Sequence, residues 1–123
     1  ELAKQLQGHA KISAVKYPFL DTHPQYVIAK KQMSNGGGIV TFELKGGIES
    51  GRKFLNALKM ISMTNNLGDS RTIASHPAST THSKLTEQER QAVGITPGLI
   101  RISAGLENVD DILADIFQAL DKS

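Results

Sequence analysis

The sequence predicts an α/β fold, a small open sandwich of about four mainly antiparallel strands covered by helices on one face. Three observations predict it. Helical and strand hydrophobic periods alternate regularly along the chain, and the clearest strand places apolar and polar residues on opposite faces. The 123 residues also suffice for one core and not two. Regular alternation of helix and strand suits parallel βαβ units, but polar outer positions such as Thr41 and Glu43 favour a sheet covered on one face.

Residues 1 to 8 read as the end of a helix, with Leu2 and Leu6 on one face and Gly8 near its stop. A strand over 12–17 follows. Pro18 and the cluster Asp21-Thr22-His23-Pro24 punctuate the chain, and Pro24 suits the first turn of a helix reaching about Met33. After the stop at Asn35 to Gly38, the next strand sets Val40, Phe42 and Leu44 against Ile39, Thr41 and Glu43. Gly46-Gly47 turns into a helix over about 48–60, in which Ile48, Gly51, Leu55 and Leu58 share a stripe and Gly51 permits close packing. A short strand over 61–64 comes next.

From Asn65 to Leu85 the chain is polar and lacks either period over most of its length, so it reads as a long loop. Loops of this length are more often functional than incidental. Thr86-Glu87-Gln88-Glu89 fits a capping box opening a short helix that ends at Gly94. Leu99 to Ala104 is the last strand. Asn108 caps a final helix whose stripe is Val109, Ile112, Leu113, Ile116, Phe117 and Leu120, with Asp110 and Asp111 at its positive end.

Composition narrows the function. Fourteen Lys and Arg against twelve Asp and Glu leave a net charge of +2, the basic residues are scattered, and Trp is absent, which argues against a nucleic-acid partner. No apolar run has the length of a membrane span. The absence of Cys excludes disulfides, thiolate metal sites and a Cys nucleophile, and suits a cytoplasmic location. The chain begins at Glu1, so it is expected to be a piece of a longer protein unless a leader has been removed.

Several candidate motifs fail on their own chemistry. Gly46 to Lys53 resembles a P-loop, but Arg52 replaces the phosphate-reaching Lys, Lys53 replaces the magnesium-binding hydroxyl, and Glu49 would enter the phosphate cradle. His76 and His82 have no third ligand nearby, so no metal site is expected, and histidines bonded to their own loop are the better reading. A Ser79, His82 and Asp69 triad lacks a nucleophile elbow. Arg101 differs, because it interrupts the apolar run Leu99-Ile100-Arg101-Ile102. A mid-strand guanidinium faces solvent, a partner carboxylate or a ligand, and its fork matches a bound carboxylate.

Three segments are diagnostic together: Asn66-Leu67-Gly68-Asp69, His76-Pro77-Ala78-Ser79-Thr80-Thr81-His82-Ser83, and Gly98-Leu99-Ile100-Arg101-Ile102-Ser103-Ala104-Gly105-Leu106-Glu107. In sequence and spacing they resemble the C-terminal domain of the cysteine and methionine metabolism family of pyridoxal phosphate enzymes, of fold type I. Tyr17-Pro18, His23-Pro24-Gln25, Ala29-Lys30, Phe42-Glu43-Leu44-Lys45-Gly46-Gly47 and Asp110-Asp111-Ile112-Leu113-Ala114-Asp115 extend the resemblance over essentially the whole chain.

The resemblance implies that residues 1–123 are the single C-terminal, substrate-carboxylate domain of a larger enzyme whose cofactor domain, with its Schiff-base lysine, is absent here. It implies that Arg101 pairs with the substrate's α-carboxylate, helped by Asn66 and supported by Thr81, and that this piece alone holds no catalytic residue, binds no pyridoxal phosphate and is inactive. Asn66, where many relatives have Ser, and Thr80, where many lyases have Met, resemble the sulfhydrylases of acylated homoserine. The implied reaction forms homocysteine from O-acetyl- or O-succinylhomoserine and sulfide, in methionine biosynthesis, by a cytoplasmic homotetramer acting on a small amino-acid substrate. Two alternatives stand beside it: a cystathionine gamma-synthase or a cystathionine or methionine gamma-lyase of the same family, and a stand-alone carboxylate-binding module without catalysis.

Overall fold

A computed structural model of the chain describes residues 1–80 and 82–123. Its elements are α1 (Leu2–Leu6), β1 (Ile12–Lys16), α2 (Tyr26–Gln32), β2 (Ile39–Leu44), α3 (Gly47–Ala57), β3 (Ser62–Met63), β4 (Ile73–Ser75), α4 (Glu87–Ala92), β5 (Leu99–Ser103) and α5 (Val109–Asp121). The expected open α/β sandwich is present with one strand more than expected, five in the order β1-β2-β5-β4-β3. The sheet is antiparallel except between β3 and β4. The additional strand, β4, lies inside the stretch read as an unbroken loop. All three of its residues are buried, so it shows no alternation, and pairing to its neighbours rather than local pattern defines it.

Alternation on β2 sets the core. Val40, Phe42 and Leu44 are buried while Ile39, Thr41 and Glu43 are partly exposed. Across the ladder, Val40 faces Ile102 and Phe42 faces Ile100, so the buried residues of β2 and β5 make one apolar surface. Against it pack Leu2, Ala3 and Leu6 of α1, Phe54 and Leu55 of α3, and Ile112, Ile116, Ala119 and Leu120 of α5. Phe42 and Phe54 meet edge to face, 5.5 Å between centroids.

The stripe expected on α3 is shifted. Gly51 and Leu55 are buried with Phe54, whereas Ile48, on the first turn, is 37% exposed. Gly51 does permit close packing, and its neighbour is His76: a Cβ there would sit 2.8 Å from His76 Nε2. On α5 the stripe holds except at Val109, which is exposed on the first turn. Asn108 Oδ1 accepts the Asp110 N–H at 2.8 Å, as its capping role requires.

Asp115 is the one α5 carboxylate turned inward, 6% exposed. It accepts the N–H groups of Lys59, Met60 and Ile61 at 2.8, 2.9 and 2.8 Å, and Gln118 Nε2 at 3.0 Å. Three successive amides leaving α3 are thereby satisfied by one side chain of α5, which fixes the chain's entry into β3. Burial raises the Asp115 pKa, but the N–H groups of Ile61, Lys59 and Met60 and the Gln118 amide outweigh it and hold the carboxyl below its ordinary value.

Candidate functional site

β5 is the central strand, and Arg101 is its middle residue. The ladder places Arg101 between Thr41 on β2 and Ser75 on β4. Because Ile100 and Ile102 face the core, Arg101 stands on the opposite face of the sheet. The segment leading from β3 to β4 supplies its partners: Arg101 Nη2 donates to the backbone oxygens of Asn65 at 2.8 Å and Asn66 at 3.3 Å. Among the described residues no carboxylate pairs with this guanidinium, and its Nε and Nη1 carry no hydrogen bond.

That segment is held at several points, each near the end of β5. Ser103 Oγ accepts the Gly68 N–H at 3.0 Å, and Ser70 O accepts the Leu106 N–H at 2.8 Å. Both carboxylate oxygens of Glu107 accept the Thr72 N–H, at 3.0 and 2.8 Å, and Oε1 accepts the Thr72 hydroxyl at 2.7 Å. Thr72 Oγ1 in turn accepts the Gly105 N–H at 2.9 Å. Burial raises the Glu107 pKa, but the Thr72 amide and hydroxyl more than compensate and hold it below its ordinary value. Within the same segment, Asp69 accepts the Arg71 N–H at 2.8 Å, and this bond, reinforced by the Arg71 side chain, lowers its pKa too. These contacts leave the Asn65 and Asn66 carbonyls facing Arg101 without requiring anything of the Asn66 side chain, which is exposed and unbonded among the described residues.

Ser75, directly across from Arg101, is 1% exposed and its Oγ has no hydrogen-bond partner among the described residues. No local pattern marks this hydroxyl, because only the ladder puts it beside Arg101. Thr81 lies outside the described residues, so Arg101 and Asn66 are the two expected site residues whose positions are known, and they are in contact.

Contrary to expectation, among the described residues the ring of His76 does not bond the backbone of its own loop but reaches the Ser79 side chain and a carbonyl outside the loop. His76 is 1% exposed, its Nδ1 lies 2.8 Å from Ser79 Oγ and its Nε2 bonds the Pro97 carbonyl. Ser79 therefore sits on His76 and not on His82. Among the described residues no three His, Cys, Asp or Glu side chains gather as a metal site would need. The Gly46 to Lys53 segment is the glycine turn expected of it, with Gly47 at φ +69° and an exposed Arg52–Glu49 pair at 3.5 Å on the first turns of α3.

Comparison with known proteins gives the arrangement its context. Residues 1–121 match the family model described as Cys/Met metabolism PLP-dependent enzyme. Among curated proteins the chain is 56% identical over 117 residues to the L-methionine gamma-lyase of Fusobacterium nucleatum subsp. polymorphum, covering 95% of this chain and 30% of the relative. It is 49% identical over 122 residues to the O-acetyl-L-homoserine sulfhydrylase of Leptospira meyeri, covering 98% and 28%. A crystal structure from Campylobacter jejuni, described as an O-acetylhomoserine (thiol)-lyase with N'-pyridoxyl-lysine-5'-monophosphate, superposes with a TM-score of 0.91 at 40% identity, over 98% of this chain and 29% of that one. The chain thus spans about 30% of the length of the curated relatives it matches. It belongs to the Cys/Met metabolism PLP-dependent enzyme family, and pyridoxal phosphate is the cofactor of the full-length enzyme.

Proposed function

We propose that residues 1–123 are the C-terminal domain of a sulfhydrylase that forms homocysteine from an acylated homoserine and sulfide, and that Arg101 holds the substrate's α-carboxylate. One observation carries the reading: a guanidinium at the centre of the sheet has no carboxylate partner among the described residues while two backbone carbonyls hold it in place. An arginine fixed in this way presents its remaining N–H groups to a planar anion. The Asn66 side chain, at the same rim, is available to the same carboxylate, and Thr81 is assigned a supporting role by resemblance.

By resemblance the Schiff-base lysine belongs to the cofactor domain, so this chain is read as holding the substrate and not the cofactor. Pyridoxal phosphate, when bound by the rest of the enzyme, supplies an electron sink for removing protons and the γ substituent. Arg101 orients the amino acid against it, a role in which a displacement of about 1 Å costs rate steeply. The isolated chain is accordingly expected to be inactive and to bind no pyridoxal phosphate. Homotetramer assembly and a cytoplasmic location belong to the same reading. Among the described residues no helix is long and apolar enough to cross a membrane.

Asn66 and Thr80 favour the sulfhydrylase, as does the similarity to the Leptospira meyeri enzyme. A second reading, methionine gamma-lyase, is favoured by relatives of that name at 56% and 50% identity. The full-length enzyme assayed with O-acetyl-L-homoserine plus sulfide, and separately with L-methionine, decides between them. In either case Arg101→Ala should lower kcat/KM by about 100-fold or more, chiefly through KM. Unchanged kinetics would sink the assignment of Arg101.

A further inference from the structure

We propose that Arg90 is a positioning residue for the carboxylate subsite, acting through the backbone carbonyls of Ala78 and His82. The inference rests on the reading of Arg101 above and extends it to a residue on a different element. α4 contributes no buried residue to the core, yet its Arg90 side chain is only 14% exposed. Arg90 Nη1 donates to Ala78 O at 3.0 Å and to His82 O at 3.4 Å, two carbonyls that flank Thr81 in the chain. Its Nε is buried without a hydrogen bond among the described residues, 3.7 Å from Glu87 Oε2.

This geometry gives a surface helix a task. A complete capping box fixes the start of α4, with Thr86 Oγ1 accepting the Glu89 N–H at 3.2 Å and Glu89 Oε2 accepting the Thr86 N–H at 2.8 Å. The helix thereby holds one guanidinium against the far side of the loop. The near side is rooted by His76, and the loop leaves β4 at Ser75, the residue paired with Arg101. Hydrogen bonds of Ser79, Thr80 and Leu85 stay within the loop, so they shape it without tying it to the rest of the domain. Arg90 supplies such a tie, from a cation to two carbonyls that an uncharged side chain could not gather as strongly.

The test uses the full-length holoenzyme, with KM and kcat for whichever substrate it turns over and the competitive inhibition constant of glycine, which has a carboxylate and no γ substituent. Arg90→Met should raise KM and the glycine constant about tenfold, equivalent to about 1.4 kcal/mol, with a smaller change in kcat. Arg90→Lys should recover most of the loss, and the melting temperature should barely move because α4 holds no core residue. Unchanged constants, or a large fall in melting temperature that Arg90→Lys does not rescue, would overturn the proposal. If Arg90→Met does not fold, Thr86→Ala decides instead, since it loosens α4 while keeping Arg90: a raised glycine constant supports positioning and an unchanged one refutes it. Arg101→Lys is measured in parallel. A glycine constant unmoved by that change defeats the carboxylate reading itself, whereas one moved by Arg101→Lys but not by Arg90→Met defeats only the role of Arg90.

Discussion

Replacing Asp115 with Ala removes the acceptor of three consecutive backbone amides and of Gln118 Nε2. The amides differ in what they lose. Lys59 and Met60 are exposed, so their N–H groups rehydrate, and each loss is about 0.5–1 kcal/mol. Ile61 is 5% exposed and its N–H stays dry, which adds about 1–3 kcal/mol for an unmet donor. Together these come to about 3 kcal/mol. For 123 residues the unfolding entropy is about 0.26 kcal/mol per kelvin, so the melting temperature should fall by about 12 °C. Asp115→Asn, which keeps an amide oxygen but loses the charge, should fall by about half as much. The pH dependence follows from the depressed carboxyl: its stabilisation is full above the unfolded-state pKa and is lost as pH falls through the lower folded-state value. Wild type and Asp115→Asn should therefore differ by the full amount above about pH 4 and converge as pH falls below it. Thermal unfolding followed by circular dichroism across that range is the assay. A melting temperature within about 2 °C of wild type at neutral pH, or parallel acid limbs, would show that these amides find other acceptors and refute the reasoning.

Gly51→Ala forces a Cβ to 2.8 Å from the fully buried His76 ring and should cost about 1–3 kcal/mol, read as a lower denaturant midpoint at unchanged slope. Glu107→Gln keeps one good acceptor for Thr72 but loses the charge, and should cost about 1–2 kcal/mol, with the difference from wild type vanishing in acid because the Glu107 carboxyl also titrates below its ordinary value when folded. Asn66→Ala in the full-length enzyme should raise KM less than Arg101→Ala does, since it removes a neutral donor rather than the cation; equal effects would mean that Asn66 acts through the backbone carbonyl holding Arg101.

Elements whose information is local were legible in the sequence. The capping box at Thr86 and Glu89, the Asn108 cap and the β2 alternation each depend on residues within five positions of one another, and each is present in the structure. β4 was not legible, because a three-residue strand buried on both faces leaves no period, and its partners are β5, more than twenty residues later, and β3. Arg101 was conspicuous as a charge within an apolar strand, but its setting was not. That setting needs Asn65 and Asn66 from 36 and 35 positions upstream, Ser75 from the adjoining strand, and a Glu107–Thr72 junction that holds the intervening segment. Asp115 and Arg90 were invisible for the same reason: their partners are backbone groups of distant segments, which carry no residue-type signature.

The carboxylates that hold the segment beside Arg101 are already occupied, which bears on the proposed role of that guanidinium. Asp69 is taken up by the Arg71 amide and guanidinium, and both oxygens of Glu107 by Thr72. Each anion is thus neutralised or solvated by donors of the scaffold and has little capacity left to recruit Arg101. Arg101 in turn is held by carbonyl oxygens, which orient the guanidinium but cannot cancel its charge. Had an acidic side chain held it, a substrate carboxylate would have to displace a partner of equal charge and would gain little. With carbonyls in that place, the carboxylate of the proposed function would meet a cation that is already oriented and still charged. The same segment that keeps Asp69 and Glu107 occupied also delivers the Asn65 and Asn66 carbonyls, so loosening the Thr72 junction should weaken amino-acid binding as well as the fold.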